Sequence, residues 1–481
     1  MVGQRFPPSA LERRPPPPAR PFVGDRAVCD RYYMAAPDNA PALRPVAIDL
    51  FAGAGGLSLG FEMAGFDVVS AVEYDPVHAA THLYNFPLTD VLCRDVSRIT
   101  GADLLESARR GWDRHNPDAD DWDGAVDVII GGPSCQGFSA MGKRDANDER
   151  NKLVGEFVRL VEEVRPRAFV MENVPGMLSA QYAEILSSAL DRLRAAGYAI
   201  ADHETPLDAS KYGVPQRRKR VVLLGVLGAA ERPTLPVATH ERPVTVADAF
   251  AGLPALGGRG AADGELFELS AAQSDVYSST TNEYLSTLTR GDHGYLAHPR
   301  PTNGRVLTGY RATEHKPESI ARFLRVGEGK VEPISRAWRL DTTAPSRTLR
   351  AGTGRERGAF SASRPLHPTE PRVITVREAA RLHSFPDWFR FHTTNWHGHR
   401  QIGNAVPPLL ARAVGSAVMS ALRIDPLAVR REAVPAGDDS LLALSPTDAA
   451  KRLDAISDEV PVARRRPSGA EPDPGDLVTS A

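Results

Sequence analysis

Residues 45–65 read PVAIDLFAGAGGLSLGFEMAG: a short apolar run, then glycines at 53, 55 and 56, then an apolar stretch at helical spacing. The pattern predicts a strand, a tight turn and a helix. Glycines at such a turn let the backbone approach a ligand at the helix N-terminus. Twenty residues after Gly53, Glu73 closes a second apolar run, VVSAVEY. A carboxylate there accepts hydrogen bonds from a ribose diol, so loop and acid together point to an adenosine-containing cofactor without saying which.

Further along, VDVIIGG (126–132), PRAFVMENV (166–174) and RVVLLGV (220–226) read as buried strands, and VGEFVRLVEEV (154–164) and AEILSSALDRLRAAG (183–197) as helices between them. This alternation predicts an α/β fold, a doubly wound and mostly parallel sheet with helices on both faces and ligands at the carboxyl ends of the strands. From about residue 230 to 370 the pattern gives way to loops rich in Gly, Pro, Thr and Arg, predicting a smaller irregular domain. Helical spacing resumes at TVREAARLHSF (375–385) and NAVPPLLARAVGSAVMSAL (404–422), expected to pack back on the sheet.

The expected boundaries are a Pro/Arg-rich disordered leader (1–44), a catalytic and cofactor-binding domain (45–230), the irregular domain (231–371), the C-terminal part of the catalytic domain (372–424) and a largely disordered tail (425–481). In the tail, at most a short helix is expected near SPTDAAKRLDAI. Met34 opens MAAPDNAPALRPVAIDLF and is an alternative expected start, which an intact mass beginning at Met1 would reject.

Net charge is only −2, but residues 300–372 hold 15 Lys and Arg against 7 Asp and Glu, a local excess of +8 that suits a phosphate backbone. Cys29, Cys93 and Cys135 show no paired spacing, which argues for a reducing, cytoplasmic setting. No apolar run long enough to cross a membrane stands out, and the HGH at 397–399 has no ligand-spaced partners, so no metal is expected.

Chemistry concentrates at the predicted strand ends. Cys135 lies in GGPSCQGFS (131–139), a loop of Pro133, Ser134, Gln136 and Ser139 rather than the apolar setting of a structural thiol. Glu172 ends the next strand, where partial desolvation is expected to raise its pKa and fit it for proton donation. Gln216, Arg218 and Arg220 alternate along QRRKR and so share one face. A nucleophile, an acid and inward guanidiniums around one rim suit an electron-poor ring.

The series DLFAGAGG, EYDP, GGPSCQGFS, MENVPG, QRRKR, RVITVREAARLHSFPD and RQIGNAVPP, in this order over residues 46–421, resembles the DNA (cytosine-5)-methyltransferase family of bacterial restriction-modification type. The resemblance implies S-adenosyl-L-methionine as cofactor and double-stranded DNA as partner. It implies Cys135 as the nucleophile adding to C6 of a flipped-out cytosine, Glu172 as the acid at N3, and Arg218 and Arg220 as holding the base and its backbone. Implied cofactor contacts are Asp49, Phe51, Gly53, Gly55, Gly56, Glu73, Asp95, Asn404 and Val406. Residues 231–371 would be the target-recognition domain.

Two departures stand out. Ser134 replaces a frequent proline, and His383, expected on an outer helix, replaces a frequent glutamine. The expected role is protection of DNA from a separate cognate endonuclease, by a monomer. The alternatives are a tRNA cytosine-5 methyltransferase, whose Cys-Phe-Thr signature is missing, and a catalytically silent DNA-binding relative, which would lack a catalytic residue.

Overall fold

A computed structural model describes residues 43–119, 121–133, 152–256, 266–289, 296–300, 304–352, 364–426 and 431–455. The apolar runs form the strands expected of them. The strands are β1 (Val46–Leu50), β2 (Asp67–Val72), β3 (Asp90–Leu92), β4 (Val128–Gly131), β5 (Ala168–Asn173), β6 (Tyr198–Ile200), β7 (Leu207–Asp208), β8 (Gln216–Arg217) and β9 (Lys219–Leu227), of which β1, β2, β4, β5 and β9 fall on those runs and the short β3, β6, β7 and β8 lie outside them. The main sheet has the order β3-β2-β1-β4-β5-β9-β6, with β7 beside β9. The strands from β3 to β5 are parallel, and β9 runs antiparallel between β5 and β6. Every residue of β1, β2 and β4 is buried, which is why these central strands read as continuous apolar runs rather than alternating ones.

Five helices follow the strands: α1 (Gly56–Ala64), α2 (Pro76–Asn85), α3 (Gly101–His115), α4 (Lys152–Val164) and α5 (Ala183–Ala195). Asp75 caps α2 with Pro76 at its first position, and Thr100 and Asp103 form a reciprocal capping box on α3.

The stretch 231–371 holds α6 (Val246–Phe250), α7 (Ala271–Ser279), α8 (Glu283–Thr289) and α9 (Pro317–Leu324), the antiparallel pair of β10 (Leu266–Glu268) and β11 (Val306–Thr308), and β12 (Ser346–Arg347), which pairs parallel with β8. It shares a core with the C-terminal part of the catalytic domain. Val246, Tyr284, Leu288, Leu340 and Leu349 join Val376, Phe385, Phe389 and Ile402 in one apolar cluster that also includes Leu59 of α1.

The chain returns to the sheet through α10 (Val376–Leu382), α11 (Asn395–Asn404) and α12 (Pro408–Leu422). At Gly60, where α1 crosses α12, a Cβ would lie 2.2 Å from that of Ala411, so only glycine permits this approach. Part of 395–422 is apolar enough by length and composition to cross a membrane, but α12 buries Leu410, Val414, Val418 and Met419 within the protein.

In the C-terminal tail the short helix expected near SPTDAAKRLDAI forms, and the segment before it is packed as well. Residues 431–455 are part of the fold: α13 (Pro446–Arg452) and the turn before it pack Leu441, Leu442 and Ala449 on Val77, Ala80 and Tyr84 of α2. Arg431 pairs with Asp67 at 3.0 Å and donates to Asn116.

Candidate active site

The cofactor end begins where β1 turns into α1. Phe51 sits in the left-handed region at φ 63°, a conformation a non-glycine residue adopts only when held there. Gly53 follows at φ 57° and donates its N–H to Glu73 Oε2 at 2.7 Å, while Asp75 N donates to Glu73 Oε1 at 2.8 Å. Glu73, at the end of β2, therefore braces the glycine loop. A Cβ built on Gly53 meets nothing within 4 Å, so the loop opens onto space on that side. Gly55 caps α1 at φ 103° against Phe86, and a Cβ on Gly56 would fall 2.4 Å from Val406 O. The GNAVPP turn thus closes directly over the loop.

Asp49 is fully buried. Ser58 Oγ donates to its Oδ2 at 2.5 Å, and Oδ1 has no hydrogen-bond partner among the described residues. Burial pushes this carboxyl up to about 7. Val406 is buried, and Asn404 is exposed at the end of α11. Asp95 caps the turn after β3 by accepting from Ser97 N and Oγ. An orphaned buried acceptor, a carboxylate on the loop and cleared space at Gly53 fit a ligand with hydroxyl and ammonium donors such as S-adenosylmethionine.

The reactive end lies beside it on the same sheet edge. Gly132 and Pro133 continue from β4; Ser134, Cys135, Gln136 and Ser139 fall in 134–151, outside the described residues. The residues around Gly132 and Pro133 are defined. Asn173 Nδ2 donates to Pro133 O at 3.4 Å, and Glu172 Oε2 lies 3.0 Å from where a Cβ on Gly132 would be. Across the β5–β9 ladder, Arg220 Nε pairs with Glu172 Oε1 at 2.5 Å. Glu172 and Arg220 thus converge on the chain leading to Cys135.

Arg218 does something other than expected. It is 2% exposed and donates to Leu349 O, Gly403 O and Ala405 O, each at 3.0 Å. The guanidinium ties β12's continuation to the GNAVPP turn, so it positions the site rather than presenting itself to a base. Gln216 Nε2 donates to Leu382 O and to His383 Nδ1, and Leu349 N donates to Gln216 Oε1. His383 completes the brace by donating from Nε2 to Ala405 O at 2.9 Å. It is fully buried beneath the site, not on an outer helix, and burial with Arg218 nearby holds its pKa well below the usual range.

Several cations of the 300–372 segment are likewise internal. Arg339 donates to Phe323 O, His367 O, Pro368 O and Glu370 O. Arg372 grips Glu378 with both terminal nitrogens. The phosphate-facing charge is therefore smaller than the sequence count, though Arg305, Arg311, Lys316, Arg325, Lys330, Arg336, Arg347 and Arg350 are exposed. Among the described residues no group of His, Cys, Asp and Glu is arranged to hold a metal.

A parallel sheet with one antiparallel strand, a braced glycine loop and an acid rim on one edge define an S-adenosylmethionine-dependent methyltransferase. Within that class the chain belongs to the C-5 cytosine-specific DNA methylase family, whose model matches residues 46–420.

It is 43% identical over 424 residues to the Type II methyltransferase M.XorII of Xanthomonas oryzae pv. oryzae, covering 88% of this chain and 96% of the relative. It is 33% identical to the Type II methyltransferase M.AgeI of Thalassovita gelatinovora, covering 78% and 99%. A crystal structure described as a prophage-encoded DNA modification methyltransferase (E. coli) matches with a TM-score of 0.62 at 34% identity, covering 79% and 99%. The protein is a DNA (cytosine-5) methyltransferase that takes its methyl group from S-adenosylmethionine and works through a covalent cysteine adduct.

Proposed function

We propose that Cys135 is the attacking cysteine, and that Glu172 and Arg220 hold the target ring against it. The observation that carries this reading is the convergence of Glu172, paired to Arg220, and Asn173, bonded to Pro133 O, on the chain two residues before Cys135. The Cys135 thiolate adds to C6 while Glu172 assists protonation at N3, which makes C5 nucleophilic. When bound, S-adenosylmethionine supplies an electrophilic methyl group on a sulfonium. Loss of the C5 proton and departure of the thiolate then restore the ring's double bond. The cytosine must leave the duplex stack for this, because C6 is covered there.

Asp49, Glu73 and the Gly53–Gly56 loop hold the cofactor, with Phe51, Asp95, Asn404 and Val406 at its margins. Arg218 supports the reaction by fixing the turn that carries Asn404 and Val406. Residues 231–371 form the target-recognition segment. The enzyme acts as a monomer in the bacterial cytoplasm, and the Type II names of its relatives support a protective role beside a separate cognate endonuclease.

The test is base-resolution mapping of 5-methylcytosine in plasmid DNA from cells expressing wild type or Cys135→Ala. Methylation at one short motif, lost in the variant, is expected. Residual methylation in Cys135→Ala would overturn the cysteine's role, and none in either would turn the search to RNA.

A further inference from the structure

The strand pair β8–β12 sets two arginines side by side on an exposed face. Ser346 lies opposite Gln216 and Arg347 opposite Arg217. Strand alternation turns the first pair inward and the second outward: Gln216 and Ser346 are buried, Arg217 and Arg347 exposed. Neighbouring strands lie about 4.8 Å apart, so two guanidinium groups leave the sheet from adjacent positions. Like charges directly opposite each other destabilise a strand pair. Among the described residues neither arginine is ion-paired to a carboxylate.

The pair is nevertheless firmly built. Ser346 N donates to Pro215 O at 2.8 Å, Thr348 Oγ1 to Arg217 O at 2.7 Å and Leu349 N to Gln216 Oε1 at 3.0 Å. Arg347 Cζ lies 5.3 Å from the ring centroid of Trp338, a cation–π contact that holds the guanidinium in place. Lys219 is exposed two residues on and lies opposite Asp208 in the β7–β9 register.

An anion between Arg217 and Arg347 would convert the repulsion into two charge-assisted hydrogen bonds, the arrangement in which arginine's planar fork suits a phosphate. Position identifies the anion. Arg217 lies in the same segment as Arg220, which holds Glu172, about 10 Å away along an extended chain and, by alternation, on the outward face. Arg347 arrives from the basic recognition segment. We propose that Arg217 and Arg347 form a clamp for one backbone phosphate of the DNA strand flanking the target cytosine, with one arginine from the catalytic strand and one from the recognition segment. The clamp contacts no base edge, so it contributes affinity and register and leaves sequence preference to other residues. It rests on the DNA-methyltransferase reading.

The test measures binding of Arg217→Gln, Arg347→Gln and the double variant to a duplex carrying the mapped target. Each phosphate near the target cytosine is replaced in turn by a neutral methylphosphonate. Each single variant is expected to bind on the order of tenfold more weakly. The double variant should also reduce the salt slope of log Kobs by about 1, the share of one phosphate. Wild type should lose affinity when the clamped phosphate is neutralised, and the double variant should be indifferent to that one substitution. S-adenosylmethionine binding, which reports the fold, and the ranking of base-substituted targets should be unchanged. A double variant as sensitive as wild type to every methylphosphonate, or an altered base preference, would overturn the clamp. Methyl transfer by wild type on the same duplex separates that failure from failure of the methyltransferase reading.

Discussion

Glu172 is held by Arg220 Nε at Oε1, and its Oε2 lies on the side of Gly132, where a Cβ would crowd it. Such a carboxylate has little freedom, and its replacement should affect the chemical step more than binding. Glu172→Gln is expected to slow methyl transfer by about 10² to 10⁴, the usual worth of a positioned proton donor, with S-adenosylmethionine affinity unchanged by equilibrium binding. A wild-type rate would remove Glu172 from the mechanism. His383 predicts a different pattern. His383→Leu removes one hydrogen bond from the Gln216 amide and one from Ala405 O, each worth about 0.5–1.5 kcal/mol because Leu382 O and Arg218 remain as partners, whereas His383→Gln can restore both bonds. Denaturant unfolding should rank wild type and Gln above Leu. Cys135, Glu172 and Glu73 stand out in the sequence because each follows an apolar strand. His383 does not, since its partners lie 167 and 22 positions away and no local spacing records them.

Among the elements, the central strands and the glycine turn are readable because burial on both faces leaves a continuous apolar run. The C-terminal segment is not: its Pro- and Asp-rich flanks mask SLLAL (440–444), and the surface it covers belongs to α2, far back in the chain. Leu442 is fully buried there. Leu442→Ala should cost about 2–5 kcal/mol by urea or thermal unfolding if the segment belongs to the cooperative fold. A loss below about 0.5 kcal/mol would return it to the status of an appendage. The basic segment shows the same limit from the other side. Composition counts its arginines, but only packing reveals that Arg339 and Arg372 point inward to carbonyls and a carboxylate.

For the whole molecule, buried histidines govern the response to acid. Burial pushes His82 and His115 to about 3 and His397 to about 4, and holds His383 and His399 well below the ordinary value. All are neutral in the fold, and the unfolded chain takes up protons at these positions below about pH 6.5. Stability therefore falls as pH drops below that value, by about 1.4 kcal/mol at pH 5.5 for each fully buried histidine. Asp49 and Glu62, which burial pushes to about 7, act in the opposite sense: protonated in the fold and ionised in the unfolded chain, they favour the fold between about pH 7 and 4. Five histidines against these two carboxyls predict a lower melting temperature at pH 5.5 than at 7.5, and equal or higher stability at 5.5 would contradict the neutral buried imidazoles. Attack by Cys135 on C6 of a flipped cytosine, on which the whole mechanism depends, can be trapped with a duplex carrying 5-fluorocytosine at the mapped target. Fluorine at C5 cannot leave as a proton does, so after methyl transfer the adduct should persist. A denaturant-stable protein–DNA complex that needs S-adenosylmethionine is expected, with the cross-link on Cys135 by peptide mass spectrometry. No complex from an enzyme active on ordinary cytosine, or a cross-link at another residue, would refute attack by Cys135.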